Sequence, residues 1–122
     1  MKVKYLDLKN KRVFISGGGS GIGATIVEHF CEQNSEVYFI DIDIKASKEL
    51  IKNIKQKKLR TPNFIECNIL DIKKLQNTIQ EIINKKGPIH CLINSAANDD
   101  RHTTEQVDEK YWENRMGINL KH

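Results

Sequence analysis

The sequence lacks features that mark several large classes of protein. No run approaches the roughly 18 apolar residues of a membrane-spanning helix, and the opening Met-Lys-Val-Lys-Tyr-Leu-Asp carries no apolar segment typical of a secretory signal. The three cysteines (Cys31, Cys67 and Cys91) form no Cys-x-x-Cys pair, which argues against zinc-binding and thioredoxin-like motifs. We therefore expect a cytoplasmic protein with reduced thiols in its core, no metal site and no membrane contact.

Aromatic residues are also scarce, at 7% of 122 residues, and this matters for the positive charge. The formal net charge is +4, and lysines crowd the stretch at residues 51–60. Nucleic-acid surfaces often combine such lysines with stacking aromatic residues, but no aromatic residue interrupts this stretch, and its charges fall opposite an apolar helix face. The stretch predicts a solvated helix surface and no nucleic-acid partner.

Short apolar runs alternate with longer segments of helical period, which is typical of βαβ units on a parallel sheet. We predict strands at residues 12–16, 36–41, 63–67 and 89–93, and helices after the glycines at 17–23, at 46–57, at 72–84 and after a cap at Asp108. The first helix is expected to end at Asn34 in the left-handed conformation. The last helix is expected to turn Tyr111, Trp112 and Met116 inward.

The glycine-rich stretch Ile15-Ser-Gly-Gly-Gly-Ser-Gly-Ile-Gly-Ala24 lies between the first predicted strand and helix. Glycines at such a turn let the backbone approach a pyrophosphate, whose charge is met by the free N–H groups and dipole of the helix. Two spacings of such a glycine motif fit the stretch. One is Gly19-x-Gly21-x-x-Ala24, and the other is Gly17-x-x-x-Gly21-x-Gly23. The cofactor contacts predicted here are Gly17, Ser20, Gly21, Ile22 and Gly23.

Asp41 ends the second predicted strand, 24 residues after Gly17, and Ile42 follows it. A carboxylate at this position can accept hydrogen bonds from the adenosine ribose hydroxyls, and it repels a 2′-phosphate. Neither the glycine loop nor the position after Asp41 supplies an arginine or lysine. The sequence therefore predicts that NAD is preferred over NADP.

Four motifs, which follow one another along the chain, resemble those of the short-chain dehydrogenase/reductase family, and the resemblance covers the whole chain. The stretch at residues 7–17 looks like the family's first strand and Thr-Gly-x-x-x-Gly-x-Gly motif, with Ser16 in place of threonine. Residues 67–71 are similar to the segment that contacts adenine, which implies such contacts for Asn68 and Ile69, although Asn68 stands where the family usually has aspartate.

The other two motifs lie in the last third of the chain. Asn94-Ser-Ala-Ala97 resembles Asn-Asn-Ala-Gly, which implies that Asn94 and Ala96 lie beside the cofactor. Residues 111–120 look like the helix that carries the family's catalytic-site asparagine, which corresponds to Asn119. Residues 96–102, followed by Tyr-Trp at 111–112, are similar to a branch that oxidises aldose sugars with NAD.

The resemblance implies a three-layer α/β/α sandwich, a Rossmann fold with a parallel sheet in the order 3-2-1-4, as one NAD-binding domain over residues 1–122. It also implies NAD-dependent oxidation of an alcohol or sugar, or the reverse carbonyl reduction. A methyltransferase has a similar glycine loop and acidic strand end, but the motifs at Asn94 and Asn119 argue against it.

The family's proton transfer uses a serine and a Tyr-x-x-x-Lys pair beyond the segment of Asn119. The chain has no such pair there, and its pair Tyr5–Lys9 precedes the first strand. We therefore expect a truncated family member that is inactive by itself. It could alternatively be a non-catalytic dinucleotide-binding module, or one half of an enzyme that a second chain completes.

Truncation also bears on assembly. Strand four would lie at the edge of the sheet with unpaired backbone groups, and the last helix would lose a neighbour. Exposed strand edges and apolar patches tend to pair with another chain. We therefore expect a homodimer or larger assembly, formed through strand four or the last helix.

Overall fold

The computed structural model describes residues 3–121 of the chain. Its strands and helices are β1 (Arg12–Ser16), α1 (Gly21–Glu32), β2 (Glu36–Asp41), α2 (Ile44–Gln56), β3 (Asn63–Glu66), α3 (Ile72–Lys86), β4 (Cys91–Asn94) and α4 (Glu109–Asn119), with 3₁₀ turns at Leu6–Leu8 and Thr104–Gln106. The four strands form one parallel sheet in the order β3-β2-β1-β4, which confirms the predicted fold. Within residues 3–121, no helix has the length and apolar character needed to span a membrane.

Two hydrophobic clusters pack on opposite faces of the sheet and create the three layers. Alternate residues of β2 point to opposite faces, so Phe39 enters one cluster and Ile40 the other. The first cluster receives Val27 from α1 and Ile54 from α2, whereas the second receives Ile82 from α3. All five residues of β1 are buried, as expected for a central strand that is covered by helices on both faces.

Side-chain caps set the starts of three helices. Asp43, Asp71 and Asp108 each accept a hydrogen bond from a backbone N–H three residues later, at 2.9, 3.0 and 2.6 Å. The Asp108 cap confirms the prediction for α4. The Asp43 cap starts α2 at Ile44, two residues before the predicted start. At the end of α1, Asn34 has a φ of 60°, as its left-handed role requires.

Strand β4 differs from the prediction at its beginning. It starts at Cys91 rather than Ile89, because the backbone N–H of Arg12 on β1 donates to the His90 side chain at 2.9 Å instead of to a strand carbonyl. Pro88 also has no N–H to offer a ladder. Regular pairing of β4 with β1 therefore begins only at Cys91, opposite Val13.

The prediction that Trp112 faces inward is wrong, since Trp112 is 56% exposed. The apolar packing of helix α4 involves the buried Gly117, where a Cβ would lie 2.7 Å from a methyl carbon of Leu70, and Ile118. Trp112 precedes Gly117 by five residues, a spacing that puts it on a different side of the helix. Tyr111 and Met116, the other two residues expected inside, are half-buried.

The free thiols follow the sequence expectation in part. Cys31 and Cys67 are buried in the two clusters, whereas Cys91 on β4 is only half-buried. Burial raises the pKa of Cys31 to about 12 and also raises the pKa of Cys67. Both buried cysteines therefore stay protonated and act as small apolar residues.

Candidate functional site

A cleft of about 680 Å³ lies at the carboxyl ends of the parallel strands, where α/β sheets of this kind bind their ligands. It is formed by four loops, those that follow β1, β2, β3 and β4. Ten of the predicted cofactor residues line it: Gly17, Ser20, Gly21, Ile22, Gly23, Asp41, Ile42, Asn68, Ile69 and Ala96. Four separate stretches of sequence thus converge on one cavity.

Side chains would not fit at Gly17 and Gly23, where the glycine loop is closely packed. A Cβ on Gly23 would lie 1.8 Å from the carbonyl oxygen of Gly17. Gly17 and Gly21 have φ values of 67° and 54°, in the left-handed region that favours glycine. Three glycines of the spacing that begins at Gly17 therefore have structural reasons to be glycine.

The amino end of α1 opens into the cleft without a side-chain cap. Ser20 occupies the cap position, but its side chain makes no capping hydrogen bond within residues 3–121, and no acidic residue lies in the first turn. The first N–H groups of a helix have no partner within the helix, and the helix dipole adds partial positive charge there. Gly21, Ile22 and Gly23 thus offer backbone donors suited to a phosphate group.

Asp41 is held rigidly at the rim of the cleft by backbone donors. Its Oδ2 accepts from the N–H of Gly19 at 2.8 Å, and its Oδ1 accepts from the N–H of Asp43 at 2.9 Å. A carboxylate oxygen can accept more than one hydrogen bond, so both oxygens retain acceptor capacity toward a ligand. Asp43 also lines the cleft, next to Ile42, whose side chain is exposed.

Ser16, at the end of β1, fastens the loop that follows β4. Its hydroxyl oxygen accepts from the N–H of Ser95 at 3.1 Å and from the N–H of Ala96 at 3.3 Å. This contact holds Ala96 against Gly17 and closes one wall of the cleft. Ser16 stands where the similar motif has threonine, and its hydroxyl group makes this contact.

In the part of the chain that the structure describes, Asn94 and Asn119 are not among the residues that line the cleft. Asn94 ends β4, opposite Ser16 in the strand register, and its side chain is exposed. The Asn119 side chain accepts from the N–H of Asn98 at 2.7 Å and donates to its carbonyl oxygen at 2.9 Å. The structure thus gives Asn119 a contact that holds a loop, and its role in the reaction stays a prediction.

Sequence reasoning missed part of the cleft, namely Ile40, Asp43, Cys67, Ser95, Ala97, residues 98–100 and Ile118. Apart from Ile118, which lies on α4, these residues lie near the end of a strand or in the loop after one, so the rule that ligands bind beyond the carboxyl ends of strands could have found them. Among residues 3–121, no group of three or more His, Cys, Asp or Glu side chains is arranged to hold a metal ion.

A parallel sheet in this order, with a glycine turn at a helix amino end and an acidic residue ending the next strand, defines a Rossmann-type nucleotide-binding protein. The sequence model of the family described as short chain dehydrogenase matches residues 11–122. The chain therefore belongs to the short-chain dehydrogenase family. Membership implies a nicotinamide dinucleotide, NAD or NADP, as the cofactor class.

Two curated relatives are named as sugar dehydrogenases. The chain is 37% identical over 118 residues to D-xylose 1-dehydrogenase of Caulobacter vibrioides, covering 97% of this chain. It is 34% identical over 119 residues to "Probable galactose dehydrogenase GalD" of Rhizobium meliloti, covering 98% of this chain. In both cases it covers 46% of the relative, so the chain spans about half the length of the curated relatives it matches.

Solved structures of the family share the fold. A short chain dehydrogenase from Mycobacterium smegmatis superposes with a TM-score of 0.81 at 19% identity, over 93% of this chain and 47% of that one. Thermoplasma acidophilum aldohexose dehydrogenase, in its ligand-free form, gives a TM-score of 0.75 at 24% identity, over 95% of this chain and 41% of that one.

Proposed function

We propose that the chain is the NAD-binding part of a dehydrogenase that oxidises a sugar or a related alcohol, or reduces the corresponding carbonyl compound. The observation that carries this proposal is the pairing of two features in one cleft. The uncapped amino end of α1, beside Gly17 and Gly23, suits a pyrophosphate. Asp41, on the neighbouring strand, suits a ribose.

The residues present fit such a cofactor in a defined direction. The pyrophosphate would lie against the N–H groups of residues 21–23, and the adenosine ribose would lie against Asp41. Adenine would then reach Asn68 and Ile69, which line the cleft after β3. The volume of about 680 Å³ lies in the usual range for cofactor sites.

The preference for NAD over NADP rests on charge. A 2′-phosphate on the adenosine ribose would face the carboxylate of Asp41, with Asp43 nearby. Among the described residues that line the cleft, no lysine or arginine is present to offset that repulsion. Because no cation offsets it, the repulsion between the Asp41 carboxylate and a 2′-phosphate disfavours NADP.

The bound cofactor supplies the hydride acceptor of the family's reaction, and the residues of this chain bind and orient it. The sugar class is supported by the printed names of the relatives and by the resemblance at residues 96–102. The pair Tyr5–Lys9 lies outside the cleft, with Tyr5 57% exposed and beside α1. From a polypeptide of these 122 residues we therefore expect binding without turnover.

The proposal includes a reducing, cytoplasmic setting and self-association. The free thiols of Cys31 and Cys67 lie in the core, as is usual for proteins of reducing compartments. In the described chain β4 is an edge strand, and Leu92 on it is 60% exposed. An edge of this kind favours pairing with a second copy.

Calorimetric titration of the polypeptide with NAD and with ADP tests the proposed function. Both ligands should bind, because ADP carries the adenosine and pyrophosphate groups that the residues of the cleft are proposed to bind. Gly23→Ala should abolish the binding of both while leaving a folded protein by circular dichroism, because its Cβ would force the loop apart at the phosphate position. Absence of heat with both ligands at millimolar concentration would refute the proposal.

A further inference from the structure

Helix α4 holds the loop that follows β4 at three successive points. The three contacts, which we call the α4 ladder, pair Asn119 with Asn98, Arg115 with Asp100, and Tyr111 with His102. The helix residues are spaced by four and the loop residues by two, and the two series run in opposite directions. The first contact was described with the cleft, and the other two extend it along the helix.

The two further contacts are polar and share an aromatic ring. The hydroxyl of Tyr111 and Nδ1 of His102 are 2.6 Å apart, with their ring centroids at 4.8 Å. The guanidinium of Arg115 lies over the Tyr111 ring, 4.9 Å from its centroid. Arg115 Nη2 is 3.7 Å from a carboxylate oxygen of Asp100. Arg115 is largely buried, with 18% of its side chain exposed, so removing it would uncover the ring and free Asp100 together.

The spacing explains why the ladder stays in register. Four residues of an α-helix rise about 6 Å, and two residues of chain can reach at most about 7 Å. Each step along the helix can therefore meet the next step along the loop, so that the three contacts form together. Residues 99 and 101 fall between the contacts.

The ladder borders the part of the cleft that the adenosine half of the cofactor does not reach. Asn98, Asp99 and Asp100 line the cleft beyond Ala96. They follow β4, whereas Asp41 ends β2, and β1 lies between these two strands. With adenosine at Asp41 and the pyrophosphate at α1, the nicotinamide riboside half must extend toward Asn98–Asp100.

We infer that Tyr111, Arg115 and His102 are positioning residues, which hold the segment Asn98–Asp100 as a fixed wall for the nicotinamide riboside half of the dinucleotide. This inference rests on the proposed function for the direction of the cofactor. The wall contributes to NAD binding and not to ADP binding, since ADP ends at the pyrophosphate. Disrupting the α4 ladder should therefore weaken the binding of NAD and leave the binding of ADP unchanged.

Comparing NAD with ADP tests the inference. By calorimetry the unmodified chain should bind NAD more tightly than ADP. Arg115→Gln and, independently, Tyr111→Phe should each weaken NAD binding about tenfold, the size expected when one polar contact that positions the wall is lost, and leave ADP binding unchanged. Lys110→Gln is the matched control, because it removes one positive charge from an exposed position of the same helix. It should change neither affinity.

Hydrogen–deuterium exchange supplies a second readout that needs no ligand. In Arg115→Gln and Tyr111→Phe, the amides of residues 98–102 should exchange faster, and those of β1 should not. Equal losses of NAD and ADP affinity would indicate general damage and overturn the inference, as would unchanged NAD affinity in both variants. An unmodified chain that binds NAD no more tightly than ADP also overturns the inference. A chain that binds neither ligand overturns the proposed function, and the cofactor role of the ladder falls with it.

Discussion

Gly17 lies directly against Ala96, so that a Cβ on Gly17 would be 2.6 Å from the Ala96 Cα. The two residues belong to loops that follow β1 and β4, which are adjacent in the sheet. The Ser16 hydroxyl fixes the same junction by accepting from the N–H of Ala96. One side of the cleft therefore depends on the absence of a single methyl group.

Gly17→Ala should destabilise the fold and weaken dinucleotide binding. Gly21→Ala is its matched control, because Gly21 has a similar positive φ but no atom within 4 Å of its Cβ position. Both variants incur backbone strain of about 1–2 kcal/mol, and the clash should cost Gly17→Ala about 1–3 kcal/mol more. Urea unfolding of both variants measures the difference. Equal losses of stability would show that the contact with Ala96 does not constrain Gly17.

The ion pair of Arg12 and Glu36 should make stability depend on pH in the acid range. Arg12 Nη2 lies 2.7 Å from a Glu36 carboxylate oxygen, and the Tyr38 hydroxyl donates to the other at 3.1 Å. Partial burial alone would raise the pKa of Glu36, but these hydrogen bonds and the charge of Arg12 outweigh it and lower the pKa below its ordinary 4.5.

Because the pKa is lowered in the folded state, the stabilisation is complete above pH 4.5 and is lost as the pH falls through the folded value. Glu36→Gln should therefore reduce the free energy of unfolding at pH 7 by about 2 kcal/mol, and its deficit should shrink as the pH approaches 3. Glu113→Gln, at an exposed position, should show no deficit. A deficit of constant size from pH 7 to pH 3 would contradict the assignment.

The three cysteines should differ sharply in reactivity. Burial raises the pKa of Cys31 to about 12 and leaves the side chain inaccessible, whereas Cys91 is half-buried on the edge strand. A thiol reagent at pH 8, followed by mass spectrometry, should label Cys91 first and Cys31 only on unfolding. The early labelling of the folded chain should be lost in Cys91→Ser and kept in Cys31→Ser. Labelling of Cys31 at the rate of Cys91 in the folded chain would be inconsistent with this core.

Self-association through the edge of the sheet is expected for the 122-residue chain. Light scattering should give a mass above that of the 14.1 kDa chain. Leu92→Lys should shift the chain toward monomer, since a lysine on an edge strand opposes pairing. Ile83→Lys adds the same charge on α3, where the side chain is 36% exposed, and should leave the assembly intact. A monomer at high protein concentration would refute the expectation.

Sequence reasoning located features that local chemistry determines. The bounds of β1 and β2 were predicted correctly, because both are short apolar runs with clear polar or glycine limits. Gly17, Gly23 and Asp41 were predicted because backbone geometry and ribose chemistry require those residue types. The start of β4 was missed because it depends on a hydrogen bond from Arg12 to His90, which are far apart in sequence.

The wall formed by residues 98–100 could not be predicted either, because it also depends on contacts between residues that are far apart in sequence. The spacing of Tyr111, Arg115 and Asn119 is visible in the sequence, but it does not show which segment the helix faces. Trp112 was expected inside because it is apolar, yet packing at Gly117 decides the orientation of α4. Tertiary contacts between α4 and the loop therefore set this part of the site.

The central claim, that this cleft is built for NAD, is tested most directly by calorimetric titration of the chain with NAD and NADP side by side. NAD should bind about tenfold more tightly or better, and Asp41→Ala should narrow the difference. Glu66→Ala is the control, because Glu66 ends β3 opposite Asp41 in the strand register and carries the same charge outside the cleft. It should leave the preference intact. Tighter binding of NADP by the unmodified chain would contradict the account.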